Sequence, residues 1–235
     1  MTTAPLSDAE LQALRAWDTP TICNALEIVT PQRRGYGFTT TPLVCAYPGL
    51  QPIVGYARTG TIRAMHPNPK PAAEAKAQRF AYFDYVVGGP GPRIMVLQDL
   101  DPSPGFGAYW GEVQTNIHKA LGCLGCITNG SVRDLDAAAE GFQMLAGCVG
   151  PSHGWVHLVD FGVDVNVAGM TVRSGDLIHA DRHGAVVIPA EAAREIPKAV
   201  DLLSRREAVI IKTAQSVGFT VDQLKAAIGE AEEIH

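Results

Sequence analysis

Apolar positions recur with helical spacing at both ends of the chain and with strand spacing through much of its middle. Ser7-Asp8-Ala9-Glu10 reads as a capping box ahead of Leu11 and Leu14 and predicts a first helix. A second helical stretch runs from Thr19 or Pro20 to Ile28. Residues 43–46 and 53–65 read as extended. In the longer of the two, Val54, Tyr56, Thr59, Thr61 and Ile62 are residue types that suit a pleated surface. The alanine-rich stretch 72–85 reads as helix, and Gly88-Gly89-Pro90-Gly91-Pro92 breaks it. Residues 93–97 read as a buried strand that ends in a Pro/Gly-rich loop over 101–107.

The centre then predicts a helix over 112–121, a glycine turn, a strand over 126–129, a turn, and a short helix over 134–140. Strand alternating with helix points to parallel pairing and an α/β core. From 143 to 189 the pattern becomes short strands separated by Gly154, Gly162, Gly169, Gly175 and Gly184, which reads as a β-rich layer. Beyond Pro189 the chain turns helical from 190 to about 216. Gly218 breaks that helix, and Thr220-x-x-Gln223 opens a last one. This predicts an α/β domain with N-terminal helices over 1–189 and a helical arm over 190–235 that packs on a neighbouring subunit, hence an oligomer.

Composition narrows the functional classes. At 235 residues, 46% apolar and 18% charged, the chain has the balance of an ordinary soluble protein with a sizeable core. Its net charge of −5, with no basic run, argues against a nucleic-acid partner. No apolar stretch is long enough to span a bilayer, and the opening MTTAPLSDAE has no basic start followed by an apolar core. Five cysteines, an odd number, fit a reducing cytoplasm better than a disulfide framework.

Candidate chemistry concentrates in Gly111-Glu112-Val113-Gln114 and, after twenty residues intervening beyond Glu112, in Arg133-Asp134. A glycine at a helix start exposes backbone N–H groups at the positive end of the helix dipole, which suits a carboxylate. The strand over 126–129 runs beside that helix and ends in Asn129-Gly130, so Arg133 and Asp134 are expected to open the next helix. Two helix N-termini at the carboxyl ends of neighbouring strands form the usual ligand crevice of an α/β sheet. Arg133 can grip a carboxylate or carbonyl with its planar fork, and Asp134 offers a hard oxygen to magnesium or manganese. An Arg-Asp pair at a helix start serves equally well as a cap and a surface ion pair.

The run GEVQ…GCITNGSVRDLDAAAEGF, followed by VDVNVAGMTVRSGDLIHADRHGAVVIP, resembles the RraA-like superfamily over about residues 20–189. That group includes class II 4-hydroxy-4-methyl-2-oxoglutarate aldolases and regulators of ribonuclease E activity. The most specific shared feature is the acidic residue–x20–Arg-Asp spacing, reproduced by Glu112, Arg133 and Asp134. The resemblance implies a swivelling β/β/α fold, a trimeric ring that in some cases pairs into a hexamer, and a site between subunits. It implies that backbone amides of the turn Gly111, Glu112, Val113 and Gln114 hold a pyruvate carboxylate. Arg133 would hold the carbonyl oxygen and stabilise an enolate, and Asp134 would bind a divalent cation, Mg2+ or Mn2+. Glu112 would orient a water, on the metal or beside it, that shuttles the proton. Two departures stand out. Gln114 replaces an apolar residue common in the turn. Residues 150–162, with His153, Trp155 and His157, do not match the basic run of the better-known aldolases, which leaves the substrate open.

Other motifs are weaker. His179, Asp181 and His183 alternate and could share a strand face as metal ligands, but Arg182-His183-Gly184 reads as the turn of a hairpin. Cys123-x-x-Cys126 has no second pair and precedes the predicted strand, so it reads as two small core residues. His153 and His157 read equally as groups beside a substrate or as surface residues around Trp155. Gly88–Gly91 lacks dinucleotide-binding spacing. The expectation is therefore a metal-dependent carbon–carbon lyase acting on a small 2-oxo acid through a pyruvate enolate, as an aldolase, an oxaloacetate decarboxylase or both. The alternative is a non-catalytic regulator that binds another protein.

Overall fold

The computed structural model describes residues 4–235; the first three residues of the opening stretch read above lie outside them. The N-terminal helices start as their sequences predict. In α1 (Asp8–Leu14) the Ser7 hydroxyl accepts from the Glu10 N–H while the Glu10 carboxylate accepts from the Ser7 N–H at 2.7 Å, a complete capping box. In α2 (Thr19–Val29) Asp18 caps the Thr21 N–H at 2.9 Å and Pro20 occupies the first turn, where its missing donor costs nothing.

The main sheet follows the order β1 (Val44–Cys45), β7 (Gln143–Ala146), β5 (Cys123–Thr128), β3 (Arg93–Asp99), β2 (Ile53–Arg63), β12 (Leu177–Asp181), β13 (Gly184–Ile188). The pairs β2–β3, β3–β5 and β5–β7 are parallel, as alternation of strand and helix requires. β2 is long enough to take two partners along its other edge. Its first half pairs antiparallel with β12, and its second half with β9 (His157–Phe161). Two smaller sheets complete the β structure. One is the hairpin β10 (Val165–Val167) and β11 (Met170–Val172). The other is a parallel trio of β4 (Ala108–Trp110), β6 (Ser131–Val132) and β8 (Cys148–Val149).

Three apolar clusters hold these layers. One lies under α1, α2 and the root of α5 (Ile196–Ala214), with Ile22, Leu26, Val54, Ile188, Ile196 and Val200. A second joins the main sheet to the β10–β11 hairpin through Ile94, Val96, Met170 and Ile178. The third packs α3 (Ala72–Val87), α4 (Glu112–Ala120) and the β4 trio on the sheet through Tyr82, Met95, Trp110 and Phe142. The chain ends in α6 (Val221–Glu232), which opens on a Thr220–Gln223 capping box and packs against α5.

Three expectations need correction. The predicted helix over 134–140 is a series of turns, because its polar groups bond elsewhere. The Leu135 carbonyl accepts from the Tyr47 hydroxyl at 2.6 Å, and the Ala139 N–H donates to Thr115 Oγ1 at 3.0 Å. The helix expected from 190 begins at Ile196, with Pro197 in its first turn and turns before it. Cys123 and Cys126 lie within β5 rather than before it, both buried. Burial pushes the Cys123 thiol up to about 12 and that of Cys126 well above its ordinary value, so neither is a nucleophile at neutral pH.

Candidate active site

The site forms where the small parallel sheet meets α4. β4 runs through Trp110 into Gly111, which starts α4 with no side chain of its own to cap it, and β6 delivers Arg133 and Asp134 beside it. The Arg133 N–H donates to the Trp110 carbonyl at 3.0 Å, which fixes the register between the two segments. Asp134 then adopts a left-handed backbone (φ 52°), a conformation aspartate accepts more readily than most residues. Its carboxylate lies against the start of α4, where Oδ2 accepts from the Glu112 N–H at 3.2 Å and lies 3.5 Å from the Arg133 guanidinium. Arg133 and Asp134 therefore follow a strand, not a helix start, and the crevice has one helix N-terminus rather than the expected two. The capping role weighed for Asp134 is real, but it serves α4 and not a helix of its own.

Gly111 permits this contact. A Cβ there would stand 2.6 Å from Asp134 Oδ2 and 3.1 Å from Arg133 Cγ, while its φ of −166° is ordinary extended backbone. The requirement is for space, not for an unusual dihedral.

Gly111, Glu112, Val113, Gln114, Arg133 and Asp134 line one open cleft of about 290 Å³, with Tyr109 and His153 on its other walls. The Val113 and Gln114 N–H groups have no acceptor among the described residues, as expected for a first helical turn, and the Glu112 side chain is exposed. The six residues of the Gly111–Gln114 and Arg133-Asp134 segments are thus neighbours. His153 joins them, its Nδ1 donating to the Gly154 carbonyl at 2.8 Å, which leaves Nε2 bare. Tyr109 was not legible beforehand, since β4 is three residues long and carries no readable alternation.

α4 is held from behind by a second group that no motif marks. His118, fully buried in the last turn of α4, lies 2.7 Å from the Gln114 carbonyl through Nδ1 and 2.8 Å from the Tyr82 hydroxyl through Nε2. A carbonyl only accepts, so Nδ1 carries the proton and Nε2 accepts from Tyr82. Burial pushes the imidazole down to about 4, and it stays neutral at physiological pH.

The alternating histidines serve structure. His179 is buried between the Thr19 hydroxyl and the Trp17 carbonyl, each 3.0 Å away, and Asp181 accepts from the Thr19 N–H and the His183 N–H. They tie the start of α2 to the β12–β13 hairpin. Among the described residues no group of three or more His, Cys, Asp or Glu side chains is placed to hold a metal ion. No helix among them is long and apolar enough to cross a membrane.

Comparison with known proteins adds the family. Protein DlpA of Legionella pneumophila is 28% identical over 127 residues, which cover 49% of this chain and 19% of that protein; this chain thus spans less than a fifth of it. A putative 4-hydroxy-4-methyl-2-oxoglutarate aldolase of Halalkalibacterium halodurans is 26% identical over 161 residues, covering 65% of this chain and 74% of that one. The crystal structure of Streptomyces coelicolor RraAS2, described as an unusual member of the RNase ES inhibitor RraA protein family, shares the fold. It superposes with a TM-score of 0.66 at 21% identity, over 88% of this chain and 97% of that one. A family model described as RraA-like, Aldolase/RraA, matches residues 19–187, from the start of α2 to the end of the β12–β13 hairpin, and the chain belongs to the RraA-like family.

Proposed function

We propose that the protein is a divalent-metal-dependent lyase that cleaves a carbon–carbon bond in a 2-oxo acid by way of a pyruvate enolate. The observation that carries this reading is the convergence, on one cleft, of the unpaired first-turn amides of α4, the Arg133 guanidinium and the Asp134 carboxylate. The named aldolase relative supports the reaction class.

The donor set fits a magnesium- or manganese-like ion. Asp134 Oδ1 has no hydrogen-bond partner among the described residues, Glu112 is close by, and such ions bind through one or two carboxylates while keeping several waters. Asp134 would hold the ion, which supplies Lewis-acid stabilisation of charge on the 2-oxo oxygen.

The amides of Val113 and Gln114 would bind the substrate carboxylate at the positive end of α4. Arg133 would hold the 2-oxo oxygen with its fork and meet the negative charge that grows there as the bond breaks. In the retro-aldol direction the C3–C4 bond breaks, its electron pair passes to the enolate, and the 4-hydroxyl gives up its proton as it becomes a carbonyl. Glu112 would move protons through a water, taking one from that hydroxyl and returning one to C3. In decarboxylation, carbon dioxide leaves in place of the aldehyde or ketone and the same enolate forms, so one site serves both reactions.

The rim of the cleft favours a shared site. Val113 in the cleft wall is more than half exposed, as are Phe106 and Trp155 in the segments that lead to Ala108 and from His153 of its lining; Val217 is exposed in the turn between α5 and α6, and Val221 at the start of α6. We take these faces as contacts with neighbouring subunits in a ring of three or a pair of such rings, with the 190–235 arm reaching across. The five free thiols fit a cytoplasmic location.

The test is pyruvate release from a panel of 4-hydroxy-2-oxo acids and oxaloacetate, with and without magnesium. Metal-dependent release supports the reading. No release from any member, with the protein folded, favours the regulatory alternative.

A further inference from the structure

A second cleft of about 320 Å³ adjoins the first, and Tyr109 and Gln114 line both. It lies between α3 and β9, with Ala72, Ala75 and Leu158 among its apolar lining and Lys76, Arg79 and His157 as its basic groups. Three features mark it as more than a gap between elements. Among the described residues Arg79 has neither a carboxylate within ion-pair distance nor a hydrogen-bond acceptor, whereas Arg15, Arg33, Arg58, Arg93 and Arg206, which also lack an ion pair, each donate a hydrogen bond. His157 Nδ1 donates to the Trp155 carbonyl at 2.8 Å, which leaves Nε2 bare. Where the clefts meet, Gln114 Oε1 is shielded from solvent and has no hydrogen-bond donor, while its own backbone is pinned by His118. A buried acceptor without a donor costs free energy unless a ligand supplies one.

We propose that the two clefts form one substrate trough, in which Arg79 and His157 read an anionic group at the far end of the substrate. The 2-oxo acid end lies at Arg133, an O–H or N–H of the middle portion satisfies Gln114 Oε1, and the distal anion lies over α3. This rests on the 2-oxo acid reading above and assigns its specificity-determining residues. Arg79 touches no atom of the reacting end, so it sets which acids bind and not how the bond is cleaved.

Titration calorimetry with magnesium present tests this without requiring turnover, using pyruvate, 2-oxohexanoate and 2-oxoadipate as probes. The last two have the same length and differ at the far end, where one has a methyl group and the other a carboxylate. The wild-type protein is expected to bind 2-oxoadipate at least tenfold tighter than 2-oxohexanoate. Arg79→Gln should bring the two within about twofold, a loss in the range of one charge-assisted contact, and leave pyruvate binding unchanged. Equal binding of the two six-carbon acids by the wild type, or an undiminished preference in Arg79→Gln, overturns the distal subsite. A preserved preference in a protein that releases no pyruvate keeps the trough and removes the lyase. Failure of all three acids to bind overturns both.

Discussion

The Asp134 carboxylate accepts a hydrogen bond from the Glu112 N–H at 3.2 Å, joining the end of β6 to the first turn of α4. The contact brings together two residues 22 apart in sequence, and it requires a glycine at 111. A methyl group on residue 111 would collide with Asp134 Oδ2 and Arg133 Cγ. Gly111→Ala is therefore expected to push Arg133 and Asp134 outward while the extended backbone stays allowed. The cost in stability should be about 1–3 kcal/mol, as for other overpacked sites. The loss of turnover should be larger, on the order of a hundredfold for a displacement near 1 Å. Thermal melts beside kcat measurements check this, and equal activity in the alanine variant would mean the contact has no catalytic role.

Arg133 and Asp134 are adjacent yet have different proposed tasks, and two substitutions separate them. Arg133→Lys keeps the charge but loses the planar fork, so kcat should fall about a hundredfold or more, as on removal of one oxyanion donor. Asp134→Asn retains an oxygen that can accept from the Glu112 N–H, so the fold should persist. The amide is a poorer ligand for a hard cation, and the metal concentration needed for half-maximal activity should rise. Titrating activity against magnesium for each variant, after EDTA treatment, distinguishes a change in kcat from a change in metal demand. Wild-type turnover in Arg133→Lys would reduce the pair to a structural cap.

Much of this site was legible because its key constraints are local or spaced in a fixed way. The glycine before α4, the Glu112 to Arg133-Asp134 spacing and the two capping boxes all lie where the sequence placed them. The turn after Asp134 was not legible. DLDAAAE has the composition of a helix, and only Tyr47 and Thr115, distant in sequence, divert its polar groups. Strands of two or three residues such as β4, β6 and β8 give no periodicity to read, so Tyr109 and the wall it forms emerged only in three dimensions. Arg79 is likewise an unremarkable residue of an alanine-rich helix until the fold sets it across from His157.

His118 predicts a pH dependence of stability. Its folded value, about 4, lies below the ordinary value of 6.5, so the unfolded chain binds the proton more readily than the native one. The contribution is intact above about pH 6.5 and is lost as pH falls toward 4, reaching about 3 kcal/mol at most. His179, also lowered by burial, acts in the same direction. His118→Gln should be less stable than wild type at pH 7, yet lose less between pH 7 and pH 5. Melting temperatures at the two pH values measure this. Parallel losses in both proteins would assign the acid sensitivity elsewhere.

Assembly is open to a simple check. Light scattering in dilute solution should give a mass that is a multiple of three chains. A fully active monomer would contradict a site shared between subunits.

Enolate formation is the step on which both proposed reactions depend, and it can be observed without knowing the physiological substrate. Pyruvate incubated with the protein in deuterated buffer should exchange its methyl protons for deuterium, followed by loss of the methyl signal in proton NMR. Exchange is expected with magnesium or manganese present, to stop in EDTA, to resume when metal is restored, and to slow about a hundredfold in Arg133→Lys. A methyl signal that persists at the buffer-only rate, with metal present and the protein folded, would contradict an enolate-forming site at Arg133 and Asp134.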